Sequence, residues 1–326
     1  MILNKKELKI DFSHKKYGFF EDASVQVCEW NKKALRGEGH CYKQDFYGAD
    51  TISCHQIAPT TFWCNNSCIF CWRPKEYMGN TPAKDCQQMD PKKMIDGLIE
   101  ERKKLISGFG GHEKVSKNTF VSAMETKHWA ISLSGEPTLY KKLPELVSLL
   151  KERKGTETVF VVSNGENPSM LKKMWNEKSL PTQLYISMVA PSEKLFKSIT
   201  CNKEKDGWIK YLKSLAMIKL LPCRSVIRLT LIKELNDSEE TIKEFASVLE
   251  TVGSDFIEIK SYMWLGYSRQ RLGEQNTPSF EYTKEFTNKL LALMPSYKFE
   301  SEKENSRIVL LKNKNSKYKT KIIDRN

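Results

Sequence analysis

From residue 54 onward the chain alternates between short apolar runs and longer stretches with an apolar residue at every third or fourth position. Strands are expected at 127–133, 158–162, 183–187, 225–231 and 256–260, with one more just before Cys64. Helical patterns separate them. Asp90 and Pro91 open the first, whose stripe is Met94, Ile95, Leu98, Ile99, Arg102, Leu105 and Ile106. Others cover 143–150, 171–175 and 206–221, and Ser238 opens a helix with Ile242, Phe245, Ala246, Leu249 and Val252 on one face. Six such units imply parallel strands with right-handed crossovers: an α/β chain forming a partial (β/α)6 TIM-like barrel rather than a closed eightfold one. A last helix is expected at 280–294. Residues 1–27 read as a polar lead-in, 107–126 as an irregular insertion, 298–299 with 308–311 as a closing hairpin, and the last fifteen residues as a frayed basic tail. The expected division is an extension over 1–54, a barrel over 55–300 and a C-terminal strand and tail over 301–326, within one structural domain.

Nine cysteines are present, and six crowd into residues 28–71. Cys64, Cys68 and Cys71 follow a C-x3-C-x2-C spacing. Three thiols in one tight loop can wrap an iron–sulfur cube and leave its fourth iron open to a small molecule. A structural zinc ion would want four ligands, and Cys54 and His55 upstream could complete such a set. Cys28, Cys41 and Cys54 make a second triplet, again suggesting a cluster with one open iron. Cys86, Cys201 and Cys223 are ungrouped and read as ordinary thiols. Lys43 lies two residues after Cys41, so a cluster there would carry it along. A lysine desolvated near an active centre loses its proton more readily and can form a Schiff base with a carbonyl.

Ligands of parallel α/β folds bind at the carboxyl ends of the strands. Ser134-Gly135-Glu136, Ser163-Asn164, Ser187, Arg228 and residues 260–262 fall at such ends. The charge is also directional: 53 Lys and Arg against 40 Asp and Glu give +13, which favours a polyanionic partner, nucleic acid ahead of membrane. No run of 18 apolar residues occurs and the amino terminus is no signal peptide, so a cytoplasmic location is expected.

The segment Cys64–Cys71, with Phe70 before the third cysteine, resembles the signature of the radical S-adenosylmethionine (SAM) superfamily. Ser134-Gly135-Glu136-Pro137 resembles that superfamily's GGE motif. Within it, residues 64–73, 128–140 and 258–269 are similar to the signature segments of tRNA 4-demethylwyosine synthases, enzymes of wybutosine biosynthesis. Cys28, Cys41 and Cys54, with Lys43, also fit that family, and the resemblance spans about residues 25–300.

The resemblance implies two [4Fe-4S] clusters, one held by Cys64, Cys68 and Cys71 and binding SAM, the other an auxiliary cluster on Cys28, Cys41 and Cys54. The substrates it implies are tRNA-Phe carrying N1-methylguanosine 3′ of the anticodon, and pyruvate, two of whose carbons complete a tricyclic base. A SAM-derived 5′-deoxyadenosyl radical would take hydrogen from the N1-methyl group, and the resulting carbon radical would attack the pyruvate carbonyl carbon. Glu136, with Ser134 and Gly135, would bind the SAM amino group, and Ser163 and Asn164 would reach the ribose. Phe70 would line the adenine, Arg228 would face the SAM carboxylate, and Ser187 would join this cofactor site. Lys43 would hold pyruvate as a Schiff base, or the auxiliary cluster would chelate it at its open iron; either needs the second triplet next to the barrel mouth. Trp72, Arg73, Lys75, Trp264, Tyr267, Arg269 and Arg271 supply aromatic and cationic groups for RNA.

Two features depart from the family. Ser163-Asn164-Gly165 is a loose form of the ribose motif. With 27 residues before Cys28, the flavodoxin-like domain of eukaryotic members is not expected. A single-domain archaeal type is therefore expected, a monomer taking electrons from an external donor such as flavodoxin or ferredoxin. A zinc-ribbon RNA-binding protein without catalysis would explain the charge and cysteines, but not the Ser134–Pro137 strand end or Lys43. A radical SAM enzyme on a peptide or metabolite would not need this charge.

Overall fold

The computed structural model describes residues 5–75 and 88–324, which leaves Cys86 outside. The chain opens with helix α1 (Lys5–His14), strands β1 (Tyr17–Phe20) and β2 (Ala23–Gln26), and short helices α2 (Glu29–Leu35) and α3 (Tyr42–Tyr47). Strand β3 (Cys54–Ala58) follows, then α4 (Pro91–Ser107), α5 (Lys117–Met124) and β4 (His128–Ile131). Next come α6 (Leu143–Glu152), β5 (Thr158–Ser163), α7 (Pro168–Asn176), β6 (Gln183–Met188), α8 (Glu193–Thr200) and α9 (Gly207–Ile218). The last elements are β7 (Arg224–Leu231), α10 (Glu239–Val252), β8 (Phe256–Ser261), α11 (Phe280–Ala292), β9 (Tyr297–Lys303) and β10 (Ile308–Asn313).

Among the described residues, these strands form one sheet in the order β1-β2-β3-β4-β5-β6-β7-β8-β10-β9. Strands β3 to β8 pair in parallel and in sequence order, as six strand–helix units require. The β1–β2 hairpin continues the sheet antiparallel on one edge, and β10 with β9 does so on the other. The two edges are not paired with each other, so the barrel stays open.

Side-chain alternation sorts each strand between two packings. Val159 and Val161, Leu184 and Ile186, Ile227 and Leu229, and Ile257 and Ile259 pack with the apolar stripes of the helices. Phe160, Tyr185, Val226, Phe256 and Leu310 face the other way, against Tyr42, Phe46 and Tyr47 of α3. The short helix α3 thus fills the lumen like a stopper, which places Lys43 inside the barrel.

Three expectations are corrected. Residues 1–27 are not a featureless lead-in: Leu8, Phe12 and Tyr17 pack on Phe62, Trp63 and Leu133, and the hairpin extends the sheet. Within 107–126 lies α5, whose Ser116 cap accepts from the Thr119 N–H at 3.1 Å and whose Phe120 and Met124 pack near Val27 and Leu35. The C-terminal segment through residue 324 is laid against the foot of the barrel. Arg224 donates to the Lys319 and Thr320 carbonyls, the Ile322 N–H donates to the Tyr47 carbonyl at 3.0 Å, and Tyr318 and Ile322 pack on the α3 group. Basic composition suggested fraying because these backbone partners are remote in sequence. Among the described residues, no helix is long and apolar enough to cross a membrane.

Candidate active site

At the carboxyl end of β3 the chain turns through Thr60–Trp63 into the first cysteine loop, and the segment after β4 is stitched to that turn. Ser134 Oγ donates to the Thr61 carbonyl (2.8 Å), Thr60 Oγ1 donates to the Glu136 carbonyl (2.9 Å), and the Glu136 N–H donates to the Trp63 carbonyl (2.7 Å). Gly135 holds φ +70° at the point of closest approach, where the backbone conformation and the space both demand glycine.

The Glu136 carboxylate is buried and pinned. Oε1 accepts from Thr138 N (3.0 Å), Thr138 Oγ1 (2.7 Å) and Ser163 Oγ (2.8 Å), and Oε2 accepts from Asn164 N (2.8 Å). Burial raises its pKa, and these donors pull it back. Ser163 also accepts from Gly165 N at 3.0 Å, so its hydroxyl is engaged in positioning Glu136.

The cysteine loop is clamped from the far side. Asn65, Asn66 and Asn202 all donate to the Glu166 carboxylate, and Asn164 Nδ2 donates to Asn65 Oδ1 (2.7 Å). Ser67 and Ile69 donate to the Thr200 and Ile199 carbonyls at the end of α8, each at 2.9 Å. Arg271 donates to the Ile69 and Cys71 carbonyls and Lys75 to that of Ser67. Phe70 packs against the main core. Cys64 is open to solvent, yet the protein mass around it, then Glu136 and Cys71, raises its pKa.

Below the mouth, the lumen carries a second group. Cys28 and Cys41 directly precede α2 and α3, and Cys54 is the first residue of β3, level with His128 and Thr158 at the amino ends of β4 and β5. Burial dominates in all three and Lys43 opposes it in each: Cys28 is raised, and Cys41 reaches about 11 and Cys54 about 12, where thiol repulsion adds. The triplet therefore lies at the opposite end of the strands from the mouth, not beside it. Lys43 spans the gap: its Nζ lies 4.6 Å from the Phe160 ring centre and 5.2 Å from that of Tyr185. Burial, then Arg228, lowers its pKa.

Arg228 belongs to this lower group rather than to Glu136. Its Nε donates to Glu258 at 2.8 Å and its Nη2 to the Tyr42 hydroxyl at 2.6 Å. Tyr42 and Tyr47 also donate to Glu258 (3.1 and 2.8 Å), and Lys260 donates to the Ser306 carbonyl at 2.7 Å. Burial brings Lys260 down to about 8. Ser187 lies at the next level of β6, paired in register with Arg228. Sequence reasoning missed Glu258 and Tyr42 as lumen groups, although alternate polar residues inside apolar strands (Arg224, Arg228, Glu258 and Lys260) were a usable signal.

Of the RNA candidates, Arg73 is buried with its guanidinium 3.3 Å over the Trp72 ring and 5.3 Å from that of Tyr17. Lys75 and Arg271 are turned onto the cysteine loop, Tyr267 meets Asp11 and Lys15, and Trp264 donates to the Leu272 carbonyl. Trp72 and Arg269 remain exposed, beside exposed Met263 and Leu265.

Among the described residues, no three Cys, His, Asp or Glu side chains converge as ligands of one ion. A structural zinc ion takes four such ligands at one point, whereas an iron–sulfur cube takes one thiolate on each of three irons.

Residues 58–246 match the radical SAM superfamily, and residues 252–313 match the family described as wyosine base formation. The SAM-dependent tRNA 4-demethylwyosine synthase of Pyrococcus abyssi is 39% identical over 289 residues, covering 89% of this chain and 83% of that protein. The chain belongs to this family. The Methanocaldococcus jannaschii synthase is 37% identical, with 92% and 93% coverage. A solved structure of TYW1 with a lysine-pyruvate adduct bound superposes with a TM-score of 0.86 at 33% identity, covering 98% of this chain and all of that one. As a radical SAM protein of this family, the chain uses SAM and a [4Fe-4S] cluster.

Proposed function

We infer that the chain carries out the reaction of its family: it builds 4-demethylwyosine from N1-methylguanosine 3′ of the anticodon in tRNA-Phe and two carbons of pyruvate. Lys43 carries this inference. Its amine is enclosed in the lumen, without a hydrogen-bond or carboxylate partner among the described residues, and burial biases it toward the free base. A neutral amine there attacks the pyruvate carbonyl carbon; the C–N bond forms and the carbonyl oxygen leaves as water, giving the imine. The adduct in the related TYW1 structure supports a lysine as the holder of pyruvate. Lys260 is the less suitable lysine, since its amine is engaged by Ser306.

At the mouth, Cys64, Cys68 and Cys71 would hold the SAM-binding cluster. When bound, that cluster supplies the electron that cleaves SAM to methionine and a 5′-deoxyadenosyl radical. Glu136 Oε2, with one protein donor, is left to take the SAM ammonium, while Ser163 and Asn164 hold the carboxylate in place. Cys28, Cys41 and Cys54 would hold the auxiliary cluster beneath Lys43. Exposed Trp72 and Arg269 would receive the splayed anticodon loop, by stacking and by phosphate contact. A separate donor would supply electrons.

The test is anaerobic incubation with SAM, a reductant, pyruvate and tRNA bearing N1-methylguanosine, followed by nucleoside analysis. The tricyclic nucleoside is expected only when pyruvate is present. Lys43→Ala should abolish it, and should abolish borohydride trapping of labelled pyruvate, while 5′-deoxyadenosine still forms. Trapping at wild-type level in that variant would remove Lys43 from the role.

A further inference from the structure

Helix α4 carries an arginine where its apolar stripe calls for a leucine or isoleucine. Arg102 is buried with Met94, Ile95, Leu98, Ile99 and Ile106, and is only 1% exposed. A guanidinium cannot shed its charge at neutral pH, so burial demands an anion. Among the described residues no carboxylate pairs with it. Its Nε donates to His55 Nδ1 at 2.8 Å, its Nη2 donates to the Ile52 carbonyl at 2.9 Å, and its Nη1 has no partner. Those two acceptors flank Cys54 in sequence. Asn31, from the helix that follows Cys28, donates to the Ile52 carbonyl (3.2 Å) and to that of Cys54 (3.5 Å), fixing the same turn. The acidic groups that act on Arg102 are the thiols of Cys54 and Cys28. The His55 ring accepts from Arg102 through Nδ1, and an imidazole carries no negative charge, so it offers no countercharge.

We propose that Arg102 is a positioning residue for the auxiliary site: its fixed cation, braced against His55 and the Ile52 carbonyl, balances the negative charge of a cluster held by Cys28, Cys41 and Cys54 and raises that cluster's reduction potential. A cube with a 2+ core and three thiolates is a net anion, the partner this buried guanidinium otherwise lacks. Lys43 and Lys260 cannot fill the role permanently. Lys43 is the amine assigned to pyruvate, and that of Lys260 is engaged by the Ser306 carbonyl. Arg102 approaches from the helix layer.

This rests on the auxiliary-cluster assignment, and the experiment separates the two. Iron and sulfide are quantified anaerobically in the full chain, in Arg102→Met and in Arg102→Lys. Reduction is then followed by potentiometric electron paramagnetic resonance in the Cys68→Ala background, which isolates the auxiliary signal. At a fixed ambient potential the Met variant should show an at least tenfold lower ratio of reduced to oxidised auxiliary cluster, ~59 mV for one electron, and the Lys variant should stay near wild type. Loss of the auxiliary cluster in the Met variant alone also supports charge balance. An unchanged ratio in the Met variant, or equal loss of the cluster in both, would overturn the proposal. Wild-type protein with only four irons would instead overturn the auxiliary cluster itself.

Discussion

Replacing Gly135 by alanine tests how tightly the SAM-binding strand end is coupled to the cysteine loop. At φ +70° an L-residue costs about 1–2 kcal/mol in backbone conformation alone. Its Cβ would also lie 2.6 Å from the Trp63 carbonyl oxygen, and closer still to that of Thr60. Recovering an ordinary contact of about 3.5 Å requires a shift of roughly 1 Å from Trp63 and more from Thr60. Neither carbonyl can move alone, because Trp63 leads directly into Cys64 and accepts from the Glu136 N–H. The displacement therefore falls on the group assigned to the SAM ammonium and on the first cysteine together. A misplacement of that size can cost about 100-fold in rate. Formation of 5′-deoxyadenosine from SAM with dithionite, without pyruvate or tRNA, reads this step in isolation. Gly155→Ala is the control: φ is +89° but nothing lies within 4 Å of its added Cβ, so it carries the conformational cost without the collision. Both variants should lose a few degrees of melting temperature, and only Gly135→Ala should lose SAM cleavage. Cleavage within about threefold of wild type in Gly135→Ala would refute the coupling.

Two other perturbations address the lumen and its floor. Lys260, brought down to about 8 by burial, is protonated in both folded and unfolded chains below that pH, where its burial is penalised by about 3 kcal/mol at 1.36 kcal/mol per pH unit. Between pH 8 and 10 the unfolded chain binds its proton more than the folded chain does, so stability rises with pH relative to Lys260→Met; a stability difference between the two proteins that is flat from pH 7 to 10 would contradict this. Deleting residues 314–326 removes the Lys319 and Thr320 carbonyls from Arg224 and the Ile322 N–H from Tyr47. A fall in melting temperature with weakened borohydride trapping at Lys43 is expected, measured by calorimetry and labelled pyruvate; unchanged trapping would mean that α3 holds its place without this strap.

The six parallel strands were legible because each is a short apolar run with its own helix, and local patterning decides both. That Cys64, Cys68 and Cys71 share one loop was legible for a similar reason. The function of Arg73, Lys75 and Arg271 was not. Each is a cation near aromatic residues and reads as RNA-facing, yet Arg271 binds carbonyls about 200 positions away in sequence, at Ile69 and Cys71. Arg228 was misplaced for the same cause: its partners Glu258 and Tyr42 meet it only through the barrel's closure around α3. The depth of the second triplet was equally hidden, since spacing cannot say which end of β3 Cys54 occupies. Arg102 was visible as a polar residue in an apolar stripe, but its meaning depends on the turn around Cys54.

The strap across the foot of the barrel bears on the order in which the protein is made. Synthesis begins at the amino end, so Cys28, Cys41, Lys43 and Cys54 all leave the ribosome before the segment that meets Tyr47. Until residues 319–322 follow, the Ile322 hydrogen bond to the Tyr47 carbonyl is missing from the underside of α3. Cys28, Cys41 and Cys54 are only partly exposed in the finished barrel, so they are more open before this strap arrives than after it.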